Sequence, residues 1–161
     1  MQTLIPLAET VALRLIDRNE TLAVAESSAG GLISAALLAI PGASAYYRGG
    51  GIIYTPRARA ALAQISREQM APLRAATEPY ALLLADRARD LLDATWGLGE
   101  TGATGPTGNR YGDAPGHCCL AITGPRRASR TLATGIADRP ANMRAFAAAA
   151  LTLLVETLQD G

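Results

Sequence analysis

Three apolar stretches with strand character, 21–26 (TLAVAE), 50–55 (GGIIYT) and 94–100 (ATWGLGE), are separated by segments of helical periodicity. This alternation constrains the fold more than any other feature of the chain. A strand, a helix and a returning strand form the parallel crossover unit. After the third strand the pattern changes. Segments 117–123 (HCCLAIT) and 129–137 (SRTLATGIA) are joined by a turn around GPRR, as in an antiparallel hairpin. Together these signals predict an α/β protein: a three-layer α/β/α sandwich with a mixed, mostly parallel five-stranded sheet.

The intervening segments read as helices. Leu4, Ala8, Val11 and Leu15 form one apolar face over 3–18, with Pro6 tolerated in the first turn. Segment 30–40 reads as a buried helix stopped by Pro41 and Gly42. Pro56 opens a short helix through Leu62, and another falls at 66–73. Thr77 caps a helix whose apolar face is Tyr80, Leu84, Ala88 and Leu91. The last helix, about 140–158, aligns Met143, Ala147, Ala150, Leu154 and Leu158. No repeat or linker interrupts the chain, so one domain over 1–161 is expected.

Hydrophobic residues make up 49% and charged residues 18% of the chain, enough apolar content for a real core. A net charge of +1 argues against a nucleic-acid partner. No uninterrupted apolar run approaches the ~20 residues of a membrane span. MQTLIPLAET lacks the basic start and cleavage site of a signal peptide. A cytoplasmic protein without membrane contact is the expectation. Cys118 and Cys119 are adjacent, so on a strand they face opposite ways and read as buried, unbridged residues. One histidine and no spaced metal-ligand motif leave no metal or cofactor expected. All fifteen basic residues are arginine.

In open α/β sheets, ligands bind beyond the carboxyl ends of the parallel strands. Three segments qualify: ESSAGG after the first strand, YTPRAR after the second and TGATGPTG after the third. Gly30 and Gly31 begin a helix whose first amides suit an anion or a developing oxyanion. A serine at such a junction is otherwise simply a cap. Gly102, Gly105 and Gly108 let backbone approach a ligand, as in a phosphate nest, or else form a flexible connection. Tyr54 ends a strand beside Arg57 and Arg59, while Arg139 and Arg144 flank the start of the last helix and suit a carboxylate or phosphate.

The ordered set AESSAGG, PGASAYYRGGGIIYTPRARAAL, TEP, TGATGPTG and DRPANMR resembles the CinA C-terminal domain family across nearly the whole chain. That is the family of nicotinamide mononucleotide deamidases. The resemblance implies hydrolysis of the nicotinamide amide to nicotinic acid mononucleotide and ammonia by a serine amidohydrolase. It places the family serine on Ser27, the family tyrosine on Tyr54 and the family lysine on Arg59. The substrate side comprises Glu26, Ser28, Gly30, Gly31 and Ser44, with Gly102, Thr104, Gly105, Gly108, Arg139 and Arg144. The family's threonine in the first motif is Ala29. The resemblance also implies a homo-oligomer. The amino-terminal domain of full-length CinA proteins and its pyrophosphatase activity are expected to be missing.

The lysine departure divides the functional readings. A lysine can act as general base for a serine, whereas a guanidinium cannot take its proton. One reading is an amidohydrolase with altered activation, with Ser27 as nucleophile and Tyr54, Glu26 or His117 in the proton path. In that case nicotinamide mononucleotide deamidation is expected at least ~100-fold below lysine-bearing relatives, from lost base assistance. A second reading is a non-catalytic homologue that binds a nucleotide or phosphate ligand. A third is an interaction subunit with a vestigial pocket.

Overall fold

A computed structural model describes residues 1–159. In chain order the elements are α1 (Ile5–Asp17), β1 (Leu22–Glu26), α2 (Leu32–Leu38), β2 (Tyr47–Ile52), α3 (Pro56–Leu62), α4 (Arg67–Met70) and α5 (Glu78–Leu91). They continue with β3 (Trp96–Ala103), β4 (His117–Thr123), β5 (Ala128–Ala133) and α6 (Arg139–Gln159). The sheet order is β2-β1-β3-β4-β5. β1 pairs in parallel with β2 and β3, and β3–β4 and β4–β5 are antiparallel. Four strands therefore run one way and β4 runs against them, as the crossover-then-hairpin pattern predicts.

Strand alternation divides the core between the two faces. Leu22 and Val24 join Trp96, Leu98, Leu120, Ile122 and Phe146 under α1, α2 and α6. Ala23 and Ala25 face the other way, toward Ile53, Tyr80 and Leu84 of the α5 side. Cys118 and Cys119 separate likewise, one into each face, both free and buried. α5 lies unusually close to β3. A Cβ on Gly97 or Gly99 would run into the carbonyl oxygens of Ala85 and Ala81 respectively. Thr77 caps α5 by accepting the Tyr80 amide, and Ser66 and Gln69 form a reciprocal capping box on α4.

Several boundaries differ from the sequence reading. β2 lies three residues earlier, so Tyr47, Arg48 and Gly49 are inside the strand and Ile53, Tyr54 and Thr55 follow it. Parallel pairing with β1 uses only backbone groups, so the glycines pair without supplying a hydrophobic signal. β3 continues through Thr101–Ala103, which the glycine content had marked as loop, because these residues pair with His117–Cys119. β5 ends at Ala133, where Thr134 turns toward α6 and donates its hydroxyl to Asn142 Oδ1 at 2.6 Å. By length and mean hydropathy α6 reaches the range of a membrane span, which uninterrupted apolar runs did not indicate. Here half of its apolar window is buried in the fold.

Candidate functional site

The turn after β1 is organised by two buried carboxylates. Glu26 accepts the amides of Gly31 (2.9 Å), Ile33 (3.2 Å) and Ser34 (2.9 Å), and the Ser34 hydroxyl at 2.6 Å. Glu100 on β3 accepts the amides of Ser27 (2.8 Å) and Ala29 (2.9 Å) on Oε2, and the Ser28 hydroxyl on Oε1. Both acids are fully buried. Burial pushes the Glu100 carboxyl above its ordinary value; the bonds from Ser28, Ala29 and Ser27 pull it down, and the neighbouring Glu26 pushes it up.

This arrangement corrects the anion-site expectation at Gly30 and Gly31. The Gly31 amide is held by Glu26 and the Gly30 amide donates to the Ser27 carbonyl at 3.1 Å. Internal acceptors thus fill the place proposed for a ligand. Both glycines have left-handed backbone, and a Cβ on Gly30 would stand 2.6 Å from the Met143 methyl of α6. Glu26 is accordingly a structural cap and not a proton carrier for Ser27.

Beyond the carboxyl ends of β1, β2 and β3 lie two adjoining cavities. The larger, about 260 Å³, is lined by Ser27, Tyr54, Arg59, Tyr80, Gly102 and Tyr111, among others. The smaller, about 200 Å³, is lined by Ser28, Tyr54, Gly102, Thr104, Gly105, Gly108 and Arg139, among others. Tyr54, Gly102 and Asn109 belong to both walls. The three sequence segments therefore converge. A further cavity of about 230 Å³, lined by Ala25, Gly51, Ile53, Ala63 and Ala88, is almost wholly apolar and has no group to orient a polar substrate.

The two serines have different surroundings. The Ser27 hydroxyl lines the larger cavity and has no hydrogen-bond partner among the described residues. Arg59 reaches the same cavity and lies over the Tyr80 ring, 6.0 Å from Cζ to the centroid. Burial raises the Tyr80 phenol above its ordinary value, against the opposing pull of Arg59. Tyr54 accepts a hydrogen bond from Arg139 at 2.9 Å, and Arg139 also donates to the Gly105 carbonyl at 2.8 Å. Asn142 Nδ2 donates to the carbonyls of Thr104 and Ile136, each at 2.9 Å. The start of α6 is thereby tied to both walls.

The glycine loop is an ordered structure and not a slack connection. Asp113 takes two bonds from Arg74 (2.7 and 3.3 Å) and one from Asn109 at 2.8 Å. Asn109 Oδ1 in turn accepts the amides of Tyr111 (3.0 Å) and Asp113 (3.1 Å). Arg74 holds the Asp113 carboxyl below its ordinary range. Arg74 and Arg110 both lie against the Tyr111 ring, at 5.0 and 5.1 Å.

Three candidate residues fall elsewhere. Ser44 is exposed in the short turn Ala43–Ala45, which precedes β2. It is therefore at the opposite, amino end of β2, one strand length or roughly 20 Å away. Arg144 is exposed and lines neither cavity. His117 Nε2 is 2.8 Å from the Ala76 carbonyl, with Cys119 Sγ at 3.6 Å and Asp113 at 3.9 Å. It too lines neither cavity and is removed from the proton path. The sequence reading passed over Glu100, although an acid inside the apolar run WGLGE is a signal, since buried carboxylates require dedicated donors.

The CinA C-terminal domain matches residues 4–158. A CinA-like protein of Anaeromyxobacter sp. (strain K) is 36% identical over 148 residues, 92% of this chain and 36% of that protein. A CinA-like protein of Gloeobacter violaceus is 38% identical over 119 residues, 74% of this chain and 28% of that protein. The chain thus spans about a third of the length of these curated relatives. A CinA superfamily protein from Enterobacter cloacae superposes with a TM-score of 0.89 at 27% identity, covering 97% of this chain and 92% of that one. The competence damage-inducible protein A of Klebsiella pneumoniae subsp. pneumoniae gives 0.91 at 25% identity, with 98% of each chain covered.

Proposed function

Because the chain belongs to the CinA C-terminal domain family, we propose that it is an amidohydrolase acting on the carboxamide of a nicotinamide nucleotide. Its products are ammonia and the corresponding nicotinic acid nucleotide. The observation that supports this reading is the turn after β1, which delivers Ser27 and Ser28 side by side to two adjoining polar cavities. Together these cavities have the size of a small-ligand pocket. Arg59, Arg110 and Arg139 place positive charge along their walls, suited to the phosphate of a mononucleotide.

Residue 59 does not supply the general base. A guanidinium has no basic lone pair at working pH, so Arg59 acts as a fixed cation for ligand orientation. This substitution also favours a second reading, a nucleotide-binding homologue without turnover. Incubation of the purified protein with nicotinamide mononucleotide, with ammonia and the nucleotide acid quantified together, tests the first. Equimolar release of both products is expected. Thermal stabilisation by the nucleotide without product selects the second.

A further inference from the structure

We infer that the paired cavities are built for a ligand with an anion at each end, and that they bind the nicotinic acid nucleotide more tightly than the carboxamide. The identity of the two nucleotides rests on the reading above; the preference for a carboxylate rests on the charge and hydrogen-bonding character of the walls.

Three arginines and no carboxylate line the two cavities: Arg59 and Arg110 the larger, Arg139 the smaller. None of the three has an acidic partner among the described residues. Elsewhere Arg74, Arg127 and Arg130 are neutralised by Asp113, Asp86 and Glu156. The two buried acids of the turn after β1 are occupied by its own amides and hydroxyls. Uncompensated cations in a concave wall focus a positive potential on whatever enters.

The positions of the cations assign the two ends of the ligand. Arg139 shares the smaller cavity with Thr104, Gly105 and Gly108. It donates to the Gly105 carbonyl and to the Tyr54 hydroxyl, and a guanidinium has further N–H groups to offer a phosphate. Arg59 is half-buried and shares the larger cavity with Ser27, whereas Arg110 is exposed at its rim. The contact that steadies Arg59 is the Tyr80 ring, which fixes the guanidinium without cancelling its charge.

The group presented to Ser27 therefore meets donors. Arg59 can only donate, and the Ser27 hydroxyl has no partner within the protein and is free to donate as well. A carboxylate offers two oxygens to such a pair and can take the guanidinium as a fork. A carboxamide offers one oxygen, and its NH2 group is turned against a side chain that cannot accept. The difference between a charged and a neutral acceptor at one such contact corresponds to an affinity ratio of about 10–100. Hydrolysis here converts the weaker ligand into the stronger, so the acid competes with the amide for the site.

Isothermal titration of the full chain with each nucleotide tests this, with Ser27→Ala as the common background to hold the amide intact. The acid is expected to bind about 10–100-fold more tightly. Adding Arg59→Gln is expected to weaken the acid by at least about tenfold and to leave the amide within about threefold, the worth of one neutral hydrogen bond. Adding Arg139→Gln instead is expected to weaken both by a similar factor, because the phosphate is common to them. Equal affinities, a tighter amide, a preference undiminished by Arg59→Gln, or one lost only in Arg139→Gln overturns the proposal. Nicotinate against nicotinamide, followed by saturation-transfer NMR, reads the carboxyl end without the phosphate. Arg59-dependent binding of nicotinate when neither nucleotide binds removes the nucleotide reading alone; absence of binding by nicotinate and by the acid nucleotide overturns the proposal. A preference for the acid in a wild-type protein that releases no ammonia removes the turnover reading alone.

Discussion

The Arg59 guanidinium lies over the Tyr80 ring, 6.0 Å from Cζ to the centroid, on the wall that also carries Ser27. A cation–π contact of this kind is worth about 0.5–1 kcal/mol at a partly exposed site and favours arginine over lysine. Arg59→Lys removes this contact. It is expected to lower kcat/KM for the nucleotide by about two- to fivefold, the equivalent of that contact. Steady-state kinetics decide the matter, since a rise of about 100-fold, the size of a restored base, would return the serine proton to residue 59.

The packing of α5 on β3 predicts a strict glycine requirement. A methyl group on Gly99 meets the Ala81 carbonyl, a backbone atom that cannot swing away. Gly99→Ala is expected to destabilise the protein by about 3 kcal/mol, the upper part of the range for overpacking. Urea denaturation measures it; a loss below 0.5 kcal/mol, about the scatter of ordinary surface substitutions, would mean that α5 stands farther from the sheet.

Asp113 organises the glycine loop through Arg74 and Asn109. Asp113→Ala is expected to raise amide exchange across 104–116 and to cost about 1 kcal/mol, a value reduced by the exposure of Arg74. The folded-state value is depressed, so the stabilisation is present above the ordinary aspartate value of 3.8 and is lost as pH falls through the lower folded value. The wild type and variant should therefore converge in stability in acid.

Glu100 has the opposite sign. Its folded-state value is raised above 4.5, so its favourable contribution is complete below 4.5 and declines as pH rises through the folded value. The stability difference between wild type and a folded Glu100→Gln variant should shift against the wild type across that window. Denaturation at a series of pH values reads the slope; a constant difference would place the carboxyl in a more solvated setting.

Much of this architecture is legible in the sequence because strand–helix alternation and caps act locally. Pro56, Ser66 and Thr77 mark helix starts where the structure has them. The convergence of three loops follows from parallel strands having their carboxyl ends on one side. What stays hidden depends on pairing across the sheet. Register against β1 decides that the strand begins at Tyr47 and that Ser44 falls beyond its amino end. The fate of the Gly31 amide depends on the rotamer of Glu26, five residues away. The pairing of Ser28 with Glu100 spans 72 positions and has no local signature.

Arg139 and Asn142 fasten the first turn of α6 to Tyr54, Gly105 and Thr104. In the order of synthesis, both serines, the buried acid and the glycine loop all precede these fasteners. A nascent chain therefore carries both serines before it carries the clasp that shapes their enclosure. The contacts that close the pocket form only after synthesis has passed the start of the final helix.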